Sequence, residues 1–593
     1  MVVQKILFPK NAVMEKMYYR YDSGNVYFKS DNEGLAIDTD GGTVFFDTYF
    51  NMFSRKKWNK YTLLNNLRLT ISIQGEAVVT LVAYNSSRTK SDKNIISTHE
   101  LKCRTKKVFT IQYPDYKDEL AVSFFITPVS DVVYIFDGAY ETDVNEAFLP
   151  EIRLGLGICT YHREEYVLNN MTMLNREVFN NRNTLLNGKI KVYISDNGNS
   201  LNENAFSNKN IQIYPNKNCG GAGGFSRAAI EALEDTDFNP THIVLMDDDI
   251  SFEIDALERN YTFLRLLKKN ARMSMIGGAM LRNDSWIIQH ASGELFSIDG
   301  IDFSRCDRDM RDPKNVLLND EEHVNHLAWW YCCIPAEILS QRGLAIPVFI
   351  KGDDIEFSMR NSDVAKITLN GVCCWHLPFD FKWSGHMCYY DYRNTGIVKS
   401  MSFPKYSGTV YFNEVFRAVI TSLLRYSYSE ANLMIRGATD FLKGPLWLCE
   451  TDPVKLNENI MCMADHLCDI SESEKHRVLQ SIKRREERIK PMGKKASIIK
   501  AALGWFLFAN RRIYIELGSP EYFYRIKEVV KYDKHSGKVL IARKNYREAI
   551  YILFRLLLLR LRIFVHFKSC VRQYRLMHRK IVSKQFWKKY LRL

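Results

Sequence analysis

Between residues 151 and 400, short apolar runs alternate with stretches of helical spacing, and that alternation leaves few ways to fold. Gly155–Thr160 (GLGICT), Lys191–Ser195, Ile211–Tyr214 and Thr241–Met246 (THIVLM) have the length and apolar content of buried strands. Glu164–Phe179 and Phe225–Leu233 carry helical spacing between them. The repetition predicts an α/β fold, a doubly wound and mostly parallel sheet whose ligands bind where strand C-termini meet the loops.

The flanks read differently. Residues 1–150 are β in character: Leu67–Tyr84 reads as two strands turning at Gly75, and Leu120–Ile126 and Val132–Phe136 repeat the alternation. A sandwich or jelly roll follows, suited to carbohydrate binding or to a purely architectural role. From about Ser402 the spacing is helical, clearest over Asn413–Leu424 and Ser471–Arg484. The chain therefore divides at 1–150, 151–400, 401–540 and 541–593, the last a basic, apolar helix pattern interrupted by Arg555, Arg560 and Arg562.

Charge narrows the function. Of 82 Lys and Arg, 15 fall in residues 541–593, against one of the 68 Asp and Glu, so the preceding 540 residues are balanced. A nucleic-acid enzyme spreads basic charge along its cleft; a basic end favours an anionic partner such as a membrane surface, with subunit contact through the apolar face as the alternative. The first residues have no long apolar core and no small-residue cleavage site, so no secretory signal is expected. The most apolar stretch, AALGWFLFA at 501–509, is half the length of a membrane span. The 13 scattered cysteines fit a reducing compartment better than a disulfide framework.

Several motifs carry chemistry. Asp247, Asp248 and Asp249 directly follow THIVLM. Three adjacent carboxylates at a strand end repel unless a cation sits there, and oxygen ligands suit Mg²⁺ or Mn²⁺. Asp247 and Asp249 can face one site while Asp248 points away. Gly220-Gly221-Ala222-Gly223-Gly224, after Asn218 and before a helix, lets backbone approach an anion, although it is neither a Walker loop nor GxGxxG. Asp353 and Asp354 form a pair able to supply a general base. Cys373 and Cys374 lack the spacing of a zinc site and read as strand core, while His376 is a separate candidate ligand. Trp329 and Trp330 are either core or sugar-stacking faces.

Taken in order, these residues resemble a known family. Thr160-Tyr161-His162-Arg163, Ser195-Asp196-Asn197-Gly198, the Asn218 glycine run, Asp247-Asp248-Asp249, His290-Ala291-Ser292-Gly293-Glu294, Trp329-Trp330, Asp353-Asp354-Ile355-Glu356 and Trp375-His376 together resemble bacterial galactofuranosyltransferases of glycosyltransferase family two. Their best-known members polymerise mycobacterial galactan. The resemblance extends upstream to Phe46-Asp47-Thr48-Tyr49-Phe50-Asn51, covering roughly residues 40–400.

The resemblance implies a GT-A (Rossmann-like) glycosyltransferase core with an N-terminal β-sandwich and a C-terminal helical domain. It assigns Asp247, Asp249 and His376 to a divalent metal, Mn²⁺ or Mg²⁺. Arg163, Asp196 and Asn218 fall at uridine- and diphosphate-binding positions, with Gly220, Gly221 and Asp248 completing that set. Asp354 falls at the catalytic base with Asp353 beside it, and Trp329, Trp330, His290 and Glu294 line the sugar and acceptor pocket. The expected reaction is inverting transfer from a UDP-sugar, UDP-galactofuranose first, to a lipid-linked glycan at the cytoplasmic face of the membrane. Another nucleotide sugar, or a degenerate carbohydrate-binding scaffold, is the alternative. Two positions depart from the family pattern: Gly352 stands where a Trp commonly precedes the acid pair, and Asp391 where a His is expected before Tyr392-Arg393-Asn394.

Overall fold

The structure is a computed structural model that describes residues 1–593 other than 11, 30–33, 39–41, 87–92, 115–118, 203–205, 207, 304–305, 322, 379–384, 488–493, 506 and 508. The chain forms two compact units: residues 1–345, 357–378 and 583–593 make the first, residues 346–356 and 379–582 the second.

The first unit begins with a nine-stranded antiparallel sheet built on β1 (Arg68–Tyr84), β2 (Lys93–Gln112), β3 (Ala121–Pro128) and β4 (Val132–Glu141). The turn expected at Gly75 is absent. β1 runs unbroken through it, pairing β4 with its first half and β3 with its second, while β2 follows along the other edge. Gly75 has φ of 117°, and a β-carbon there would lie 2.7 Å from the carbonyl oxygen of Val132. Glycine thus bends a strand between two partners instead of ending it.

A second nine-stranded sheet follows. β5 (Leu154–Thr160), β6 (Ile190–Asp196), β7 (Ile211–Pro215) and β8 (His242–Asp247) are parallel neighbours in the order β7-β6-β5-β8. Between them run α1 (Glu164–Leu174) and α2 (Gly220–Glu234), and α3 (Ile254–Leu266) follows β8. Their near-continuous apolar sequences fit burial: Leu156, Val192, Val244 and Met246 are fully or almost fully buried. Beyond β8 the sheet is mixed rather than parallel. β10 (Tyr331–Pro335) is antiparallel to β8 and to β9 (Met275–Arg282), and β9 pairs in parallel with β11 (Lys366–His376). Cys373 and Cys374 are buried in β11, where burial pushes both thiols up in pKa.

α2 starts at Gly220, five residues earlier than its apolar spacing indicates, so the glycines are helix, not loop. They allow close packing: a β-carbon on Gly224 would overlap Cys159 Sγ and lie 2.8 Å from Cys159 Cβ. Helix α4 (Asp353–Arg360) contributes its first turn to the second unit and the remainder to the first.

The second unit is helical through α5 (Met387–Ser402) and the helices Gly408–Leu424, Tyr428–Phe441, Gly444–Glu450, Pro453–Met463 and Glu472–Glu486. The helical expectation for 401–540 misses a three-stranded sheet, Arg511–Glu516, Ile526–Tyr532 and Val539–Arg543, so the boundary at 541 falls inside a strand. The terminal segment is α6 (Tyr546–Ile581) and α7 (Lys584–Leu591). It is not a free tail. Ile552, Leu556, Leu559, Ile563, Phe567 and Tyr574 of α6 are buried, and in the first unit Trp587 of α7 is buried with its Nε1 donating to the Ala345 carbonyl at 2.8 Å. Among the described residues no helix is long and apolar enough to cross a membrane, and the stretch 501–509 lies partly outside them.

Candidate active site

The sheet register aligns the motifs. Cys159 pairs with Asp247 and Thr160 with Asp196, which puts the ends of β5, β6 and β8 in one row. Because the order is β7-β6-β5-β8, the connections leaving β5 and β8 diverge there, opening the crevice at which α/β sheets bind ligands. His376 reaches this row by a non-local route. Ser251, just after the acidic triplet, exchanges hydrogen bonds with Trp375: Ser251 N–H donates to the Trp375 carbonyl at 2.9 Å and Trp375 N–H to the Ser251 carbonyl at 2.7 Å. The end of β11 is thereby pinned beside the triplet. His376 Nε2 lies 3.1 Å from Asp249 Oδ1 and 3.9 Å from Asp247 Oδ2.

The ligand atoms of Asp247, Asp249 and His376 lie within 4.8 Å of one another, the one such group of three among the described residues. Two carboxylates and an imidazole nitrogen fit a small divalent cation such as Mn²⁺ or Mg²⁺. Asp248 turns toward Arg163 instead, its Oδ1 accepting from Nη1 at 3.1 Å, and the same guanidinium pairs with Asp249. Burial raises the pKa of Asp248 against the opposing pull of Arg163. Burial works against the Arg163 cation too, but Asp249 and Asp248 outweigh it and hold its pKa above the usual value. Sequence reasoning missed Asn170 on α1. Its buried Nδ2 donates to the Ile250 carbonyl at 2.9 Å and holds the triplet loop from behind. An asparagine inside a helical stretch gives no sequence signal of that role.

The other nucleotide positions shape backbone. Asp196 is buried, and its carboxylate accepts from the N–H groups of Gly198 at 2.9 Å and of Ser200 and Leu201 at 2.7 Å, building the loop after β6. Asn218 Oδ1 accepts from Gly220 N–H at 3.0 Å at the start of α2, and Asn197 Nδ2 donates to the Gly220 carbonyl at 3.0 Å. Gly220 and Gly221 thus sit at the N-terminus of a 15-residue helix, a place that favours anions.

The expected sugar pocket is not gathered in the same way. Trp329 and Trp330 are 5% and 6% exposed. Trp329 packs edge-on against Phe225 and Phe357, and Trp330 Nε1 donates to the Gly278 carbonyl at 2.9 Å. Both serve the core here and present no open ring face. Glu294 turns inward to His326 Nδ1 at 2.7 Å, and His290 Nδ1 lies 3.2 Å from Asp307. Asp353 and Asp354 open α4, Asp353 buried and Asp354 half-buried with its Oδ1 accepting from Ile355 N–H at 2.8 Å.

Residues 3–143 match the family model described as Galactofuranosyltransferase 2 N-terminal. The chain is similar to glycosyltransferases, and among them to galactofuranosyltransferases. It is 27% identical over 435 residues to the galactofuranosyltransferase GlfT2 of Mycolicibacterium smegmatis, covering 68% of this chain and 64% of that protein. With GlfT2 of Mycobacterium tuberculosis it is 25% identical over 429 residues, covering 68% of this chain and 65% of that protein. The chain thus matches slightly less than two thirds of the length of these curated relatives. A mannosyltransferase from Pyrobaculum calidifontis, solved in complex with GDP-Man and Mn²⁺, aligns with 54% of this chain and 86% of its own at 11% identity and a TM-score of 0.30.

Proposed function

We propose that this protein is an inverting, metal-dependent glycosyltransferase with a GT-A core. It moves galactofuranose from UDP-galactofuranose to a hydroxyl of a lipid-linked glycan. The observation that carries the reading is the convergence of Asp247, Asp249 and His376 at the switch point of the sheet. The similarity to two galactofuranosyltransferases supports the donor sugar.

Asp247, Asp249 and His376 would hold Mn²⁺ or Mg²⁺. Such an ion would supply positive charge to a departing diphosphate. Arg163, with its cation held among Asp248 and Asp249, orients the carboxylates and faces the donor phosphates, while the N-terminus of α2 adds backbone N–H groups. Asp354 is the base by its place in the motif order. It accepts the proton of the acceptor hydroxyl; that oxygen forms a bond to the anomeric carbon as the bond to UDP breaks, inverting the centre. The N-terminal domain, a β-sandwich in this reading, stands beside the core.

Attachment to the cytoplasmic face of the membrane belongs to the same reading. Opposite its buried stripe, α6 exposes Ile550, Leu553, Phe554, Leu557, Leu561 and Phe564 beside exposed Arg560, Arg562 and Lys568. An apolar face edged with cations suits the boundary of an anionic leaflet, with charged ends snorkelling to the headgroups. A donor panel assayed by UDP release, with and without a galactofuranose-ended acceptor, tests the enzymatic reading. The expected outcome is acceptor-dependent release that is fastest with UDP-galactofuranose. Preference for another sugar nucleotide would reassign the donor, and no release from any donor would leave a binding scaffold.

A further inference from the structure

The backbone leading into the acid pair has an unusual shape. Phe349, Lys351 and Gly352 have φ of 73°, 64° and 88°. Glycine adopts this region freely, whereas Phe349 and Lys351 stay there only if their surroundings over-determine it. Those surroundings are side chains of α5. Asn394 Nδ2 donates to the carbonyls of Lys351 at 2.7 Å and Ile350 at 2.8 Å, and at 3.4 Å to that of Val348. Arg393 Nη2 donates to the Val348 carbonyl at 2.5 Å, and its Nε donates to Asn394 Oδ1 at 2.9 Å. With its oxygen engaged by Arg393, the Asn394 amide must turn its nitrogen to the loop. Both side chains are buried, Arg393 at 1% and Asn394 at 2% exposure. Lys351 Nζ adds an ion pair to Asp391 of the same helix at 2.7 Å.

A second anchor lies on the other side of Asp354. His578 of α6 places Nε2 2.7 Å from Glu356 Oε1, and Glu356 is 2% exposed in the first turn of α4. The two ties come from separate helices and bracket Asp354 in sequence, residues 348–351 before it and Glu356 after it. Together the two ties hold the backbone on both sides of Asp354.

We propose that Arg393, Asn394 and His578 are positioning residues that clamp residues 348–356 and so fix the orientation of the Asp354 carboxylate. The proposal rests on Asp354 being the base. A general base must meet its proton at hydrogen-bond distance, and a displacement of about 1 Å costs on the order of a hundredfold in rate.

The test pairs amide hydrogen exchange over peptides spanning 348–360 with steady-state transfer kinetics, in the full chain and in Asn394→Ala, His578→Ala, His578→Gln and Asp354→Asn. Both alanine variants are expected to exchange faster over 348–356 while peptides from β5 and β8 keep wild-type rates. Their kcat falls about 10–100-fold with the KM for UDP-galactofuranose within about twofold. His578→Gln keeps a donor toward Glu356 and recovers most of the loss. Unchanged exchange in His578→Ala and Asn394→Ala, or faster exchange with unchanged kcat, overturns the proposal. Should Asn394→Ala fail to fold, the two His578 variants decide the matter. If Asp354→Asn transfers as fast as wild type, the assignment of the base has failed, and the exchange rates alone judge the clamp.

Discussion

Asp249 is met from two sides by nitrogen. Arg163 pairs with one of its oxygens and His376 Nε2 approaches the other at 3.1 Å. A cation entering this group therefore finds carboxylates already turned inward. Asp249→Ala removes a ligand while burying little apolar area, so the unfolding midpoint should stay close to wild type. Mn²⁺ affinity, followed by calorimetric titration, should fall by more than the roughly 10–100-fold that outer partners of a metal site are worth. Wild-type Mn²⁺ affinity in the variant would remove Asp249 from the site. At Asp354 the expected loss has a different form. Asp354→Asn keeps shape and removes basicity, so kcat should drop by about 10²–10⁴ while donor binding persists. A normal Asp354→Asn beside an inactive Asp353→Asn would move the role to the neighbouring carboxylate. The acidic residues of both groups were legible in sequence because they sit next to each other in the chain. The approach of His376 was not legible from spacing, since it depends on the bridge between Ser251 and Trp375.

At the scale of elements, glycine has two structural uses here that look alike in sequence. Gly75 bends β1 between two partners, so a glycine in an alternating run read as a turn between two strands. Gly224 lets α2 settle on β5 against Cys159, so a glycine run read as a loop before a helix. Alternation and helical spacing report which faces are buried, but not how closely two backbones approach. Gly224→Ala separates the effects. Helix propensity alone would stabilise the variant by up to about 1 kcal/mol. Overpacking against Cys159 should instead destabilise it by about 1–3 kcal/mol in chemical denaturation. A more stable variant would show that the close approach does not matter. The four strands β5 to β8 and their parallel pairing followed from the sequence pattern. The antiparallel β10 did not, because its partners β8 and β9 are distant in sequence; nor did the sheet of residues 511–543, whose short strands pair locally within a stretch read as helical.

Across the whole molecule, the long helix α6 carries two apolar stripes. Ile552, Leu556, Leu559, Ile563 and Phe567 face inward in the second unit, while Phe554, Leu557, Leu561 and Phe564 are exposed, Phe564 at 88%. In sequence the two merge into one hydrophobic, basic block, which is why the segment read as a tail separate from the fold. Deleting it would remove core as well as surface. The membrane reading is better tested by changing Phe554, Leu557, Leu561 and Phe564 together to Glu in the full chain. Sedimentation with anionic vesicles at low salt should fall at least tenfold relative to wild type, with the unfolding midpoint little changed, since each buried CH₂ is worth about 0.8 kcal/mol at the lipid boundary. Equal sedimentation of both proteins would remove this face from membrane binding. A loss of self-association in the quadruple variant, with vesicle binding intact, would assign the stripe to a second copy of the chain.

The most direct measurement is transfer itself, under control of the metal. The protein, UDP-galactofuranose and a galactofuranose-ended acceptor are incubated with excess EDTA, then with Mn²⁺ or Mg²⁺ restored, and the acceptor is followed by mass spectrometry and its new linkage by NMR. No hexose gain is expected in EDTA, with recovery on restoring the ion and a product anomeric configuration opposite to that of the donor. Full transfer in EDTA, or retention of the donor's configuration, would overturn the metal-dependent, inverting mechanism.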